Sequence, residues 1–476
     1  MVFNSIQFAI FLPIVFGLHW VMPAKYRWAV LLAASYVFYA FCGVKYLALL
    51  LTVTLIAYGA GRFLEDATHP NRRKLCLSCA VFGMLAFLFF YKYLNFFSQS
   101  IAALLGIFGC IRDPFLINIM LPVGISFYIF TAISYVADVY RGKISAEQHF
   151  GKFALHIGFF PSLLSGPIER ADNLLPQIRS PKPFDYDLAV VGLQEILLGG
   201  FKKMVVADRL AAYVNIAFSD VTAHRGFMLV LAVLFYTVQI YCDFSGYSDM
   251  AIGVAKLFGI SLRPNFRIPY CATSIKEFWG RWHISLSSWF RDYVYIPLGG
   301  NRVGPFRHKS NLMITFFVSG LWHGASWNFI IWGGIHGAVQ ILESLFRKKG
   351  PSKVPTLFRW LGTMIIVSAA WVFFRANTLS DALYVFSHCL DGISNPAGYL
   401  LNGIFGFNKG IFDLLLTSGA LAVWLVTEFM GRKNSFACTL GKLPKVLRWG
   451  ICLVLILLVF FLTPVVSDSG FLYFQF

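Results

Sequence analysis

Long apolar runs separated by short polar and basic loops make up most of the chain. A membrane-spanning helix needs about 20 mostly apolar residues, and eleven runs reach that length or nearly so. The pattern therefore predicts an all-α integral membrane protein. The two longest runs are predicted to hold more than one simple pass each. The runs lie at about 6–22, 28–44, 46–61, 75–97, 115–137, 187–206, 226–259, 310–346, 357–374, 411–430 and 447–466.

Nothing in the sequence divides the chain into separate domains. There is no internal repeat and no low-complexity tract, so a single membrane domain over 1–476 is the simplest prediction, with its histidine-containing core at 241–346. The first apolar run has no Lys or Arg before it and no small-x-small site after it. It is therefore predicted to be a retained first span and not a cleaved signal peptide.

The basic residues of the short loops predict the orientation, because cytoplasmic loops are enriched in Lys and Arg. The loop 62–74 carries four basic residues, 261–309 carries eight against two acidic ones, and 347–359 and 431–448 carry five each. These loops are predicted to be cytoplasmic. Both termini, including a C-terminal tail at 467–476, are then predicted to be external. The side assignment of 142–225 is left open, with 153–168 predicted as a short re-entrant segment.

The run 310–346 lies between two segments predicted to be cytoplasmic, so it must enter and leave the membrane on one side. At about 1.5 Å per helical residue it can form two short passes or a broken hairpin, but not two full spans. Five glycines, at 320, 324, 333, 334 and 337, offer points where the helix can break. Broken helices at membrane depth are tolerated where they are buried in protein or line a wet cavity. The run is therefore a candidate functional segment.

Composition supports the membrane prediction. Hydrophobic residues make up 58% of the 476 residues and charged residues 13%, against about 45–50% and 25% in soluble domains. This excludes a disordered chain, a disulfide-rich secreted domain and an ordinary cytosolic enzyme. The net charge of +18 does not indicate nucleic-acid binding, because the basic residues are distributed among several loops. The nine cysteines are odd in number and scattered, so no disulfide framework is expected.

Ionisable residues inside a membrane segment are costly, and each is a functional hypothesis by default. His323 is the strongest candidate, since it is flanked by glycines at the predicted break and a neutral imidazole can act as a general base. A structural role is favoured for His336. Asp243 and Asp249 are six residues apart and do not share a helix face, so packing roles beside Ser245 and Ser248 are favoured. The remaining candidates are His156 and His283, the latter in the basic and aromatic stretch 261–309.

The signatures of several enzyme classes are missing. The sequence contains no G-x-S-x-G, no Walker loop, no G-x-G-x-x-G, no H-E-x-x-H and no H-x-x-x-x-D. Hydrolase, ATPase, dinucleotide-binding and metalloprotease functions have no support, and no metal site is expected. The basic stretch 261–309 carries either solvated loop charges, headgroup contacts or the entrance for an anionic donor.

Several segments together resemble the membrane-bound O-acyltransferases, and within them the bacterial branch that O-acetylates alginate. The resemblance extends over nearly the whole chain. The matching segments are MVFNSIQF at the start, LPVGISFYIFTAISYVADVYRG at 121–142, GFFPSLLSGPIER at 158–170, YCDFSGYSDMAIG at 241–253, EFWGRWHISLSSWFRDYVYIPLGGNR at 277–302, GLWHGASWNFIIWGGIHG at 320–337 and FLYFQF at 471–476.

The resemblance implies a fold and a site. The fold is a ring of about eleven transmembrane helices with re-entrant segments around a central tunnel, in the bacterial inner membrane. The signature histidine of the family falls on His323 and a second family histidine on His283. An acyl thioester such as acetyl-CoA is the implied cytoplasmic donor, used as a substrate with no permanently bound cofactor. Relatives that attach D-alanine share both histidine segments, so these segments do not indicate which acyl group is transferred.

The implied function is O-acetylation of an exopolysaccharide, alginate by default. A periplasmic or membrane-tethered polysaccharide acetyltransferase is the expected partner, because the chain has no soluble domain that could hold a polymer. Tyr473 in the external tail is a candidate acyl relay, with an aromatic belt at the interface as the equal alternative. D-alanyl transfer to teichoic acid, peptidoglycan O-acetylation and polymer export without chemistry stay open as alternatives.

Overall fold

The computed structural model describes residues 1–346, 354–432 and 435–464. Their regular structure is helical, without a β-strand in any of these three ranges. The first nine helices are α1 Ile6–Val21, α2 Arg27–Ala40, α3 Lys45–Asp66, α4 Pro70–Leu88, α5 Leu94–Ile107, α6 Ile125–Tyr140, α7 Phe150–Gly158, α8 Phe160–Leu163 and α9 Ala171–Arg179.

The later helices include both short and long elements. They are α10 Tyr186–Gly200, α11 Asp208–Ser219, α12 Phe227–Leu257, α13 Ile275–Trp279, α14 Ile284–Phe290, α15 Pro305–His323, α16 Trp327–Phe346, α17 Thr356–Arg375, α18 Leu379–His388, α19 Pro396–Phe405, α20 Ile411–Met430, α21 Phe436–Gly441 and α22 Lys445–Leu462. Turns of π-helix at Phe89–Tyr93, Phe201–Ala207 and Arg291–Tyr295 continue α4, α10 and α14, and 3₁₀ turns occur at Ala24–Tyr26, Val221–Ala223 and Pro269–Cys271.

Seven helices within the described ranges are long and apolar enough to cross a membrane. They are α3, the continuous helix Pro70–Ile107, α12, α16, α17, α20 and α22, and the apolar α1 and α6 are shorter. This confirms the predicted all-helical, multi-pass membrane protein.

The chain forms two compact units. The first consists of Met1–Gly192 and Ala251–Arg263, and the second of Leu193–Met250 and the described residues from Pro264 onward. The prediction of one membrane domain stays a prediction.

In the first unit, α6 is the central helix. Every residue from Ile125 to Val139 is buried, and the buried residues include the polar Ser126, Thr131, Ser134 and Asp138. Gly124 precedes the helix with a φ of +79°, and a Cβ at this position would lie 2.7 Å from the carbonyl oxygen of Leu163. The predicted run 115–137 is therefore wrong at its start, because residues before Gly124 are not helical.

The short predicted re-entrant segment of the first unit consists of α7 and α8. These helices have nine and four residues, which is too short to cross a membrane. Most of their side chains are buried, so the segment packs within the protein.

In the second unit, α15 and α16 form the predicted broken hairpin. Residues 324–326 separate the two helices. The helices pack closely because glycines face the opposite backbone, Gly320 against the carbonyl of Phe329 and Gly333 against the carbonyl of Phe316. A side chain at either glycine would force the helices apart, which is the physical reason for small residues at such a contact.

Helix α12 corrects one prediction. The run 226–259 was expected to hold more than one pass, but Phe227–Leu257 is one uninterrupted helix of 31 residues. At 1.5 Å per residue it is about 46 Å long, which exceeds the roughly 30 Å of membrane hydrocarbon. A single helix can be longer than the membrane is thick where protein covers it. In α12, 61% of the most apolar stretch of 18 residues is buried inside the protein.

Candidate active site

His323 is the last residue of α15, directly before the turn of the hairpin. Its side chain is buried, and three aromatic rings surround the imidazole. The ring centroids of Trp322 and Trp332 lie 4.9 Å from its own, and that of Phe374 lies 5.3 Å away. All three meet it edge to face. The structure thus confirms the predicted position of His323 at the break, and its catalytic role stays a prediction.

His283 is also fully buried, at the N-cap of α14. Its backbone has a φ of +42° and a ψ of +55°, a left-handed conformation that residues other than glycine rarely adopt. The ring packs edge-on against Phe244, with centroids 4.5 Å apart. Burial lowers the pKa of His283 well below its usual value, so the ring is neutral at physiological pH.

Both candidate histidines contact the same tryptophan in the second unit. The indole of Trp322 lies 4.9 Å from the ring of His323 and 6.1 Å from that of His283, measured between centroids. The two imidazoles therefore border the same indole ring in one aromatic cluster, although they are 40 residues apart in sequence. The resemblance named both histidines as site residues, and their catalytic roles stay predictions.

A polar cluster holds His283 in place, and the sequence did not point to it. The side-chain oxygen of Asn265 lies 2.9 Å from Nδ1 of His283 and accepts from Ser285 Oγ at 2.9 Å. The amide nitrogen of Asn265 donates to Ser248 Oγ on α12 at 3.1 Å. Asn265 lies in a short loop segment with no periodicity around it, so only its polarity between apolar runs could have singled it out.

His336 has the structural surroundings that the sequence favoured. Its ring stacks on Phe278 and meets Trp279 and Trp332 edge-on, at centroid distances of 6.1, 5.2 and 5.0 Å. Within the described part of the chain neither ring nitrogen has a hydrogen-bond partner. These contacts are compatible with a structural role for His336, which stays a prediction.

Asp243 and Asp249 form ion pairs, which corrects the prediction of packing beside Ser245 and Ser248. Lys203 contacts Asp243 at 2.5 Å and Asp208 at 2.8 Å. Lys202 contacts Asp249 at 3.1 Å and Glu428 at 2.8 Å. We call these two lysines and four carboxylates the buried ionic network.

The two lysines lie in the π-helical segment Phe201–Ala207, inside the predicted apolar run 187–206. Two adjacent lysines in an apolar run indicate buried charged partners. They were not among the candidates predicted from the sequence, because those candidates were histidines and aspartates. The network joins this segment to α12 and, through Glu428, to α20. Its charges make it a structural connection within the second unit.

The remaining candidates have other surroundings. His156 is buried in α7 of the first unit. In the basic stretch, Arg281 pairs with Glu277 and Arg291 with Asp292, at 2.5 and 2.8 Å. Tyr473 and the tail 467–476 lie outside the described residues. Among the residues that are described, no group of three or more His, Cys, Asp or Glu side chains could hold a metal ion.

Comparison with known proteins gives consistent matches. The model of the membrane-bound O-acyltransferase family matches residues 31–380. A probable alginate O-acetylase of Azotobacter vinelandii is 42% identical over 94% of this chain and 88% of the relative. A peptidoglycan O-acetyltransferase of Helicobacter pylori is 32% identical over 100% and 98%. A teichoic acid D-alanyltransferase of Bacillus subtilis is 26% identical over 57% and 69%.

Proposed function

The chain belongs to the membrane-bound O-acyltransferase family, and from this premise we propose that it moves an acetyl group from a cytoplasmic thioester across the membrane for O-acetylation of an exopolysaccharide. Alginate is the default polymer. The observation that carries the proposal is the 42% identity to a probable alginate O-acetylase over 94% of this chain. Acetyl-CoA or another acyl thioester is the donor, and the chain needs no permanently bound cofactor.

The contact of both imidazoles with Trp322 supports a transfer mechanism that uses both histidines. His323 takes the proton from the accepting hydroxyl as its oxygen attacks the thioester carbonyl carbon. The carbon–sulfur bond then breaks, and the proton held by His323 passes to Nε2 of His283 on the donor side and from there to the departing thiolate. The hydroxyl proton thus ends on the thiol, and both histidines return to their neutral form. A positioned general base contributes typically about 10²–10⁴-fold to such a reaction.

The proposed arrangement in the membrane is inferred from the family resemblance and from the charges of the loops. About eleven helices with re-entrant segments would form a ring around a tunnel, with the basic stretch 261–309 at its cytoplasmic entrance and both termini external. The many basic residues of that stretch support this side assignment. The inner membrane is the proposed location, since a cytoplasmic donor requires it.

We further propose a separate external partner, a periplasmic or membrane-tethered polysaccharide acetyltransferase. The segment 376–410 carries one basic residue against two acidic ones, which favours the external side, and it contains only two short helices, α18 and α19. Such a small segment cannot enclose a polymer chain. The acetyl group would therefore leave the tunnel and be handed to a protein that binds the polymer.

Replacement of Tyr473 by Phe tests whether the tail takes part in this transfer. If the phenol carries the acetyl group between tunnel and partner, Tyr473→Phe should lose acetylation of the polymer while it keeps an aromatic ring for the interface. Polymer-bound acetate is measured after mild alkaline hydrolysis, with Phe474→Tyr as a matched control for changes in the tail. Unchanged acetate in Tyr473→Phe would leave only the aromatic belt.

Peptidoglycan O-acetylation is the second candidate, because the relative from Helicobacter pylori matches this chain along its whole length. A deletion strain separates the candidates. We expect ester-linked acetate to disappear from the exopolysaccharide, to remain in peptidoglycan, and to return with the wild-type gene. Loss from peptidoglycan alone would favour the second candidate, and loss of ester-linked D-alanine from teichoic acid would favour aminoacyl transfer. A fall in polymer yield without loss of acetate would indicate an exporter.

A further inference from the structure

We propose that Asn265 is a positioning residue for acyl transfer: it holds the ring of His283 in one tautomer and one orientation, so that Nε2 is the nitrogen that meets the substrates. The inference rests on the proposed function for its consequence in catalysis. Its structural part, the fixed tautomer, stands on the contacts of Asn265 alone.

The assignment of the Asn265 amide follows from its partners. The backbone N–H of Ser285 lies 3.3 Å from Oδ1, and a backbone N–H can only donate. The atom is therefore the carbonyl oxygen, and the amide nitrogen is the one that donates to Ser248. Since a carbonyl oxygen carries no proton, Nδ1 of His283, 2.9 Å away, must be the donor of that hydrogen bond.

The tautomer of His283 follows directly. In a neutral imidazole one nitrogen carries the proton and the other carries a lone pair. With the proton on Nδ1, the lone pair is on Nε2. A ring hydrogen-bonded in this way can accept or return a proton only at Nε2, as the transfer to a departing thiolate requires.

The backbone around His283 is held by the same residue. The N–H of Ile284 donates to the carbonyl oxygen of Asn265 at 2.9 Å, and the N–H of Arg267 donates to the carbonyl of Arg281 at 3.0 Å. These two bonds connect the loop to both sides of His283. A left-handed conformation at a residue with a side chain persists only where its surroundings over-determine it, and such positions cluster at functional sites.

The ring itself has little freedom to turn. Phe244 meets it edge-on on α12, and Trp322 meets it on α15. Asn265 is in turn fixed by Ser248 on α12, so one asparagine connects the imidazole to a helix of the scaffold. At metal sites, removal of a partner that fixes the tautomer and orientation of a histidine typically costs about 10–100-fold in activity, and we expect an effect of the same order for His283.

The first test compares the variants Asn265→Leu, Asn265→Asp and Ser248→Ala in proteoliposomes with acetyl-CoA as donor. Asn265→Leu should lower kcat by about 10–100-fold and leave KM for acetyl-CoA nearly unchanged. Asn265→Asp keeps an acceptor oxygen at the same place and should recover most of kcat. Ser248→Ala removes the anchor of the amide nitrogen but keeps the contact between Oδ1 and Nδ1, so it should lower kcat clearly less than Asn265→Leu. Equal losses in all three variants, or full kcat in Asn265→Leu, would overturn the proposal.

The second test needs no activity and uses the folded wild-type protein. Nitrogen NMR of protein labelled at its histidines, with His283→Gln to assign the signal, reports which ring nitrogen carries the proton. We expect the Nδ1–H form for His283, and an Nε2–H form would overturn the proposal. A wild-type protein without acetyl transfer but with the Nδ1–H form would refute the proposed function and leave the positioning intact.

Discussion

Replacement of His323 by Ala is expected to abolish detectable O-acetylation while the protein still inserts in the membrane at normal abundance. A lost general base lowers the rate by about 10²–10⁴-fold. The imidazole lies at the end of α15, where the hairpin turns and where Gly324 is covered by the ring of Phe329. Its three aromatic neighbours enclose the site without replacing its proton chemistry. Acetate released from purified polymer measures the effect, and immunoblots of membranes measure abundance.

His336→Phe is the matched control for this variant. His336 lies in the same second unit, is fully buried, and shares Trp332 as a neighbour with His323. Phe keeps an aromatic ring among Phe278, Trp279 and Trp332 and removes two buried ring nitrogens that lack hydrogen bonds in the described structure. We expect this variant to acetylate normally. Normal acetylation by an equally abundant His323→Ala variant would refute the assigned base.

Two kinds of sequence signal predicted the fold: the length of the apolar runs predicted the helices, and the glycines predicted the break after His323. Apolar runs predict helices because every backbone polar group in lipid must be satisfied within the segment. The break after His323 was predictable, since glycines at 320, 324 and 333 permit both the turn and the close approach of α15 to α16. Run length alone misled at α12, because it does not distinguish a helix whose extra turns are buried in protein from two passes.

The candidate site was predictable in its histidines and not in what holds them. Asn265 is 18 residues from His283, and the left-handed backbone of His283 is a property of the packed loop, with no local sequence signal. The partners of Asp243 and Asp249 lie 40 and 47 residues away. A hydropathy pattern predicts where the helices lie, but it does not predict which charged residues of different helices form ion pairs.

Replacement of Lys203 by Met is expected to have the largest effect on stability. The side chains of Lys203, Asp208 and Asp243 are each 5% exposed or less. Removal of the lysine leaves two buried carboxylates without their shared cation, and breaking a buried ion pair in this way costs about 3–5 kcal/mol. This is comparable to the whole stability of a marginal protein. Thermal unfolding of detergent-solubilised protein should therefore show a large decrease or a loss of folded material.

Two further variants separate the loss of the ion pair from the loss of a side chain. Adding Asp243→Asn to Lys203→Met neutralises one of the two carboxylates that lost this cation, so part of the stability should return, because a buried charge costs far more than a buried neutral amide. Asp172→Asn breaks the exposed pair with Arg263, whose partners are 52% and 42% exposed, and should cost at most about 1 kcal/mol. If Lys203→Met were as stable as Asp172→Asn, the buried ionic network would not hold α12 to the π-helical segment Phe201–Ala207. His283 packs on Phe244 of α12. If the buried ionic network holds α12 in place, it therefore also fixes the helix on which His283 packs.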